Sequence, residues 1–96
     1  MSVLSTATPW GPAEYYEPIG QELFVVRTAS HGGYFVPDRL LHHIPEHRRA
    51  DAQRWSGSAN WYEEDCCWAH VAEAFPDLFP PEAIAAARQL NAARGL

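Results

Sequence analysis

Between Trp61 and Phe75 the chain sets three consecutive carboxylates (Glu63, Glu64, Asp65), two adjacent thiols (Cys66, Cys67), an imidazole (His70) and four large aromatics within 15 residues. Three chemistries suit those residue types. Cys66 and His70 stand one helical turn apart, and a thiolate and an imidazole so placed can share a tetrahedral zinc. The same pair can act as nucleophile and base, because a thiol near a helix N-terminus has a lowered pKa. Acids beside aromatics can also meet a basic protein surface.

The first two chemistries lack support along the chain. Two ligands do not close a zinc site, and His31, His42, His43 and His47 lack the short paired spacing of zinc motifs. Glu63, Glu64 and Asp65 place negative charge just upstream of the thiols, which raises a thiol pKa. No catalytic residue, metal or cofactor is therefore assigned. Cys66 or Cys67 is expected to pack as a small hydrophobe, with His70 and Glu73 solvated. A small zinc-binding or Cys/His-dependent enzyme built on His31, Cys66 and His70 stands as the alternative. Ser30-His31-Gly32-Gly33 is read as a tight turn and the His42-His43 to His47 cluster as surface histidines.

Charge narrows the partner. Twelve acids against seven bases, all of them arginine, give a net charge of −5. A phosphate backbone is a poor partner for such a chain, since nucleic-acid affinity rests on cationic neutralisation; a basic protein is a good one. Aromatics beside acids supply the contact, because aromatic residues dominate interface hot spots. The expected partner-binding residues are Trp55, Trp61, Tyr62, Glu63, Glu64 and Asp65, with Glu14, Glu17 and Glu22 as a second acidic edge.

The elements that must position these groups make one α+β domain over residues 1–96. Residues 1–12 read as an irregular arm. Residues 13–36 read as a small three-stranded antiparallel meander: Glu14 to Pro18, the β-branched run Glu22 to Ala29, and Tyr34 to Val36. Pro18-Ile-Gly20 and Gly32-Gly33 supply its turns. Residues 37–96 are mainly helical, with two to three helices packed on one face of the sheet. Asp38 can cap a short helix through His43, and the polar stretch Glu46 to Arg54 offers a second helical segment or a loop excursion. Trp68, Val71, Ala72 and Phe75 form an apolar stripe on a helix beginning near Glu63. Pro80-Pro81-Glu82 opens a last helix that ends at Gly95. Adjacent cysteines do not form a relaxed disulfide, so reduced thiols are expected. No apolar run approaches the ~20 residues of a membrane span, and Met1 to Thr8 has no basic region before its apolar residues. The expected compartment is the cytoplasm.

Three ordered motifs carry a resemblance: Thr8-Pro-Trp-Gly-Pro-Ala13, Thr28-Ala-Ser-His-Gly-Gly33 and Tyr62-Glu-Glu-Asp-Cys-Cys-Trp-Ala-His-Val-Ala-Glu-Ala-Phe-Pro76. Over roughly residues 8 to 80 the chain resembles a family of short, uncharacterised domains from proteobacterial phages, plasmids and other mobile elements, some beside antirestriction genes. The resemblance implies a phage protein or other mobile-element product that evades host defence. By class it is similar to anti-CRISPR inhibitors, small acidic proteins that dock on the basic nucleic-acid-binding surface of a Cas effector. The expected function is therefore a non-enzymatic, monomeric or homodimeric inhibitor whose partner is a host protein, such as a CRISPR effector subunit, reached through protein–protein interaction without nucleic acid or membrane.

Overall fold

A computed structural model describes residues 7–96. Tyr15–Gly20 (β1) and Leu23–Arg27 (β2) form its first hairpin, with Tyr15 opposite Arg27 and Gly20 opposite Leu23. The connection is not the expected Pro18-Ile-Gly20 turn. It is the pair Gln21 and Glu22, both with positive φ (51° and 70°), the backbone hand that matches the twist of a two-residue hairpin. Neither residue favours that region as glycine does. Relief of about 1–2 kcal/mol of left-handed strain outweighs the roughly 0.5–1 kcal/mol entropic cost of glycine. Glu22→Gly is therefore expected to raise stability by about 0.5–1 kcal/mol, read as a higher midpoint in thermal or urea unfolding. The lost bond from Arg39 Nε to Glu22 (2.8 Å) subtracts little, because both side chains lie at the surface.

Gly32–Phe35 (β3) pairs antiparallel with β2, and the intervening turn is Thr28 to His31. The hydroxyl of Thr28 closes that turn, accepting from the His31 amide (3.1 Å) and donating to the His31 carbonyl (2.8 Å). Gly32 and Gly33 thus lie inside a strand and not in its turn. Gly33 is there for close approach: a Cβ at that position would stand 2.5 Å from Trp10 Cη2 and 2.5 Å from the Tyr62 carbonyl oxygen. The Trp10 indole accordingly covers the outer face of the sheet, edge-on to Trp61 at 5.8 Å.

The expected three-stranded sheet is corrected to four strands. Trp61–Glu63 (β4) pairs antiparallel with β3, giving the order β1-β2-β3-β4. Asn60 places it, donating its side-chain amide to the Val36 carbonyl and to Asp38 (both 2.8 Å) while its own carbonyl accepts from the Val36 amide. The expected helix start near Glu63 therefore falls in a strand. Glu63 Oε1 accepts from the Cys66 amide (3.2 Å) and so shapes the turn that follows.

Three α-helices complete the fold: Glu46–Ser56 (α1), Trp68–Ala74 (α2) and Pro81–Ala93 (α3). A 3-10 helix, Asp38–His43, precedes α1, and Asp38 makes no side-chain cap there. Gly57 closes α1 at φ 83°, the left-handed conformation that commonly ends helices. Sheet and helices enclose the main core of Leu23, Val36, Leu40, Ile44, Ala52, Tyr62, Cys67, Val71 and Phe75. α3 packs on α2 through small side chains, Ala69 and Ala72 against Ala87, and so forms a further layer beyond it. The opposite sheet face carries a second cluster, Val26 and Trp61 with Trp10, Phe24 and Phe35. Of the expected arm 1–12, residues 1–6 lie outside the described residues; Thr8 and Gly11 form an isolated bridge. Among the described residues, no helix is long and apolar enough to cross a membrane.

Candidate functional site

The strand assignment redistributes the expected contact residues. Tyr62 is fully buried, Trp61 retains 9% exposure and Glu63 8%. All three belong to β4, one wedged into the main core and one into the outer aromatic cluster. The expectation that Trp61, Tyr62 and Glu63 present a surface is corrected by that burial. Glu64 and Asp65, in the turn after β4, remain exposed, as do Glu14, Tyr15, Tyr16, Glu17 and Glu22. Trp55 is exposed on α1.

Antiparallel pairing brings most of these survivors together. The start of β1 lies beside the end of β2, which pairs with the start of β3, which pairs with the end of β4. One end of the sheet therefore collects Glu14, Tyr15, Tyr16, Glu64 and Asp65. The Glu14 amide donates to the Arg27 carbonyl (2.8 Å), and the Glu64 amide donates to the Gly32 carbonyl (3.0 Å). Alternation places Tyr15 and Tyr16 on opposite faces of the strand. Tyr16 lies 6.0 Å from Phe24 on the aromatic side, and the Tyr15 hydroxyl donates to Glu17 (2.5 Å). A depression of about 120 Å³, lined by Arg27, Thr28, Ala29, Ser30, His31 and Glu64, opens at the same end.

The thiols and the imidazole lie elsewhere, and deep. His70 and Cys67 are fully buried and Asp51 is 1% exposed. Asp51, on α1, accepts from His70 Nε2 on α2 (2.8 Å) and from Arg94 Nη2 just after α3 (2.7 Å). The Cys67 thiol faces the same carboxylate at 3.6 Å, and Cys66 Sγ lies 3.9 Å from Cys67 Sγ. Asp51, Cys67 and His70 thus present one donor atom each to a common point, within 4.8 Å of one another. Sequence spacing pointed to Cys66 with His70; the helix begins at Trp68, and this turns Cys67 toward His70 instead. His31, exposed in its turn, takes no part. Asp51 and Arg94 carried no sequence signal as partners, because 43 positions separate them. His70 and Glu73 are not solvated: His70 is buried, and Glu73 accepts from Asn91 (2.9 Å) and pairs with Arg48 (3.4 Å).

Electrostatics make this cluster quiet. Burial pushes the Cys67 thiol far up, with the nearby Cys66 and Asp51 adding to the effect. Burial raises Cys66 too, although its contact with Cys67 and the charge of Arg94 pull the other way. Neither thiol is an activated nucleophile. Burial also lowers His70 below the ordinary histidine value of 6.5, against the pull of Asp51. Burial alone would raise Asp51, but hydrogen bonds from Arg94 and His70 outweigh it and hold the carboxyl below its ordinary 3.8. Both shifts are downward, so at acid pH the unfolded chain binds more protons than the folded one. Stability is accordingly expected to be full above pH 6.5 and to fall on acidification, first as unfolded His70 protonates and again below 3.8. Urea unfolding across that range, in chelator-containing buffer, measures the slope; flat stability between pH 7 and 5 contradicts it.

Fold and site together define a small α+β domain with an open acidic–aromatic sheet end and a sealed polar cluster between its helices. Residues 4–94 match a family described as a domain of unknown function, DUF7007, and the chain belongs to that family. No curated protein and no solved structure matches the chain.

Proposed function

We propose that this domain is a non-enzymatic binding protein that docks the sheet end bearing Glu14, Tyr15, Tyr16, Glu17, Glu64 and Asp65 onto a basic protein surface. One observation carries the reading: strand pairing gathers exposed carboxylates and tyrosines from two distant segments at one place. β1 is also a sheet edge. Edge strands offer unpaired backbone groups to a partner, and Glu17 and Pro18 on it disfavour pairing with a second acidic copy. The net charge of −5 steers association toward cationic surfaces.

In its most specific form the partner is a nucleic-acid-binding effector of host defence in the cytoplasm, a Cas subunit above all. The carboxylates then take the place of phosphates, and the domain acts as an anti-CRISPR inhibitor from a mobile element. The −5 charge and the acidic–aromatic surface support this form; the family description is silent on it. The test is capture from cells carrying CRISPR effector complexes, read by mass spectrometry, with the Glu14→Lys/Glu17→Lys/Glu64→Lys variant alongside. Recovery of one Cas subunit by the native chain, with weaker and slower association of the variant, is the expected result. Equal recovery by both would remove the sheet end from the interface, and recovery of no effector subunit would reject the inhibitor form.

A further inference from the structure

The sealed cluster between the helices offers donors that the binding surface does not use. Asp51 Oδ2, Cys67 Sγ and His70 Nε2 converge from α1, from the turn before α2 and from α2 itself, all of them buried. Zinc–ligand bonds of 2.0–2.3 Å in a tetrahedron put neighbouring donors about 3.3 Å apart for oxygen and nitrogen. The same geometry gives about 3.6 Å for oxygen and sulfur and about 3.8 Å for two sulfurs. The observed separations are 2.8 Å for Oδ2 to Nε2 and 3.6 Å for Oδ2 to Cys67 Sγ, with Cys67 Sγ and His70 Nε2 within 4.8 Å. The oxygen–sulfur edge already has metal-site length, and the oxygen–nitrogen edge opens by about half an ångström once an ion replaces the shared proton.

We infer that Asp51, Cys67 and His70, the three donors within 4.8 Å of one another, form a zinc site that locks α1 to α2. The charges close as well. A divalent ion is neutralised by one carboxylate and one thiolate, and Arg94 on Asp51 Oδ1 (2.7 Å) keeps that carboxylate ionised. Arg94 also fixes the carboxylate so that Oδ2 faces the ion, the task of an outer-shell partner. Loading releases one proton from the Cys67 thiol, while the His70 proton moves from Nε2 to Nδ1. All three ligands are buried, which fits a structural and not a catalytic role.

The test uses the tag-free chain exposed to Zn²⁺, freed of excess metal by gel filtration and assayed for bound zinc, with Co²⁺ as a spectroscopic substitute. Expected are one zinc per chain, a thermal midpoint that falls on chelation, and for Co²⁺ the intense visible bands and thiolate-to-metal charge transfer of a tetrahedral site. Cys67→Ser should lose retention, and Cys66→Ser, outside the donor set, should keep zinc bound. His42→Ala/His43→Ala should leave zinc bound. A folded native chain that retains no zinc overturns the site, as does cobalt without the charge-transfer band. Zinc retention unchanged in Cys67→Ser places the ion elsewhere and also overturns it.

Discussion

Asp51→Asn is expected to destabilise the metal-free domain by about 2–4 kcal/mol. The native carboxylate accepts from His70 on one oxygen and from Arg94 on the other, with side-chain exposure of only 2%. Asparagine keeps one acceptor and turns an NH₂ toward the second donor, so one of two buried N–H groups loses its partner and meets another donor. Removing one member of a buried pair typically costs about 3–5 kcal/mol. The loss here is smaller because Arg94 keeps 23% side-chain exposure and water relieves part of its stranded charge. For a domain of this size the thermal midpoint should drop by at least about 10 °C. Arg94→Gln should cost less, and the double variant less than the sum, since the two groups share one interaction. Unfolding curves read by circular dichroism decide it. An Asp51→Asn midpoint within a degree or two of the native value would mean that the network does not hold the helices.

Gly33→Ala is the second large effect, at about 2–3 kcal/mol. The new Cβ would stand 2.5 Å from two atoms of different character. Trp10 Cη2 belongs to a side chain that can swing away, at the expense of its edge contact with Trp61 (5.8 Å). The Tyr62 carbonyl is backbone of the paired strand, and it moves only if β4 shifts against β3. Two readouts separate the clashes. Tryptophan emission should shift to the red as Trp10 leaves the sheet face. In a Trp10→Ala background the same substitution should cost less but still register, because the carbonyl clash persists. Native stability in Gly33→Ala would show that Trp10 does not cover the glycine.

These two residues also mark where the sequence was legible and where it was not. Proline and glycine punctuation located α3 almost residue by residue: Pro81 opens it and Gly95 lies just past its end. The β-branched run located β2, and the Trp68-Val71-Ala72-Phe75 stripe located α2, with Val71, Ala72 and Phe75 buried. β4 escaped because it is three residues long, too short for an alternating pattern, and the acids that follow it resemble a helix start. Gly32-Gly33 read as a turn because glycine pairs usually are; the indole that requires Gly33 lies 23 positions earlier, beyond any local pattern. Asp51 escaped because α1 reads as polar throughout and buries only Asp51 and Ala52. Of the cluster, only a Cys–His pair one turn apart was visible, and the helix register exchanged Cys66 for Cys67. Of the surface, Glu14, Glu17, Glu64 and Asp65 were legible as acids, but their convergence required the strand order.

That convergence is the central claim, and NMR titration of the ¹⁵N-labelled chain with a short, extended arginine-rich peptide tests it most directly. Saturable shifts confined to the amides of β1, the Thr28 to His31 turn and Glu64 to Asp65 are predicted, abolished by Glu14→Lys/Glu17→Lys/Glu64→Lys. Absence of saturable binding, or shifts centred on Trp55 and α1, would contradict it.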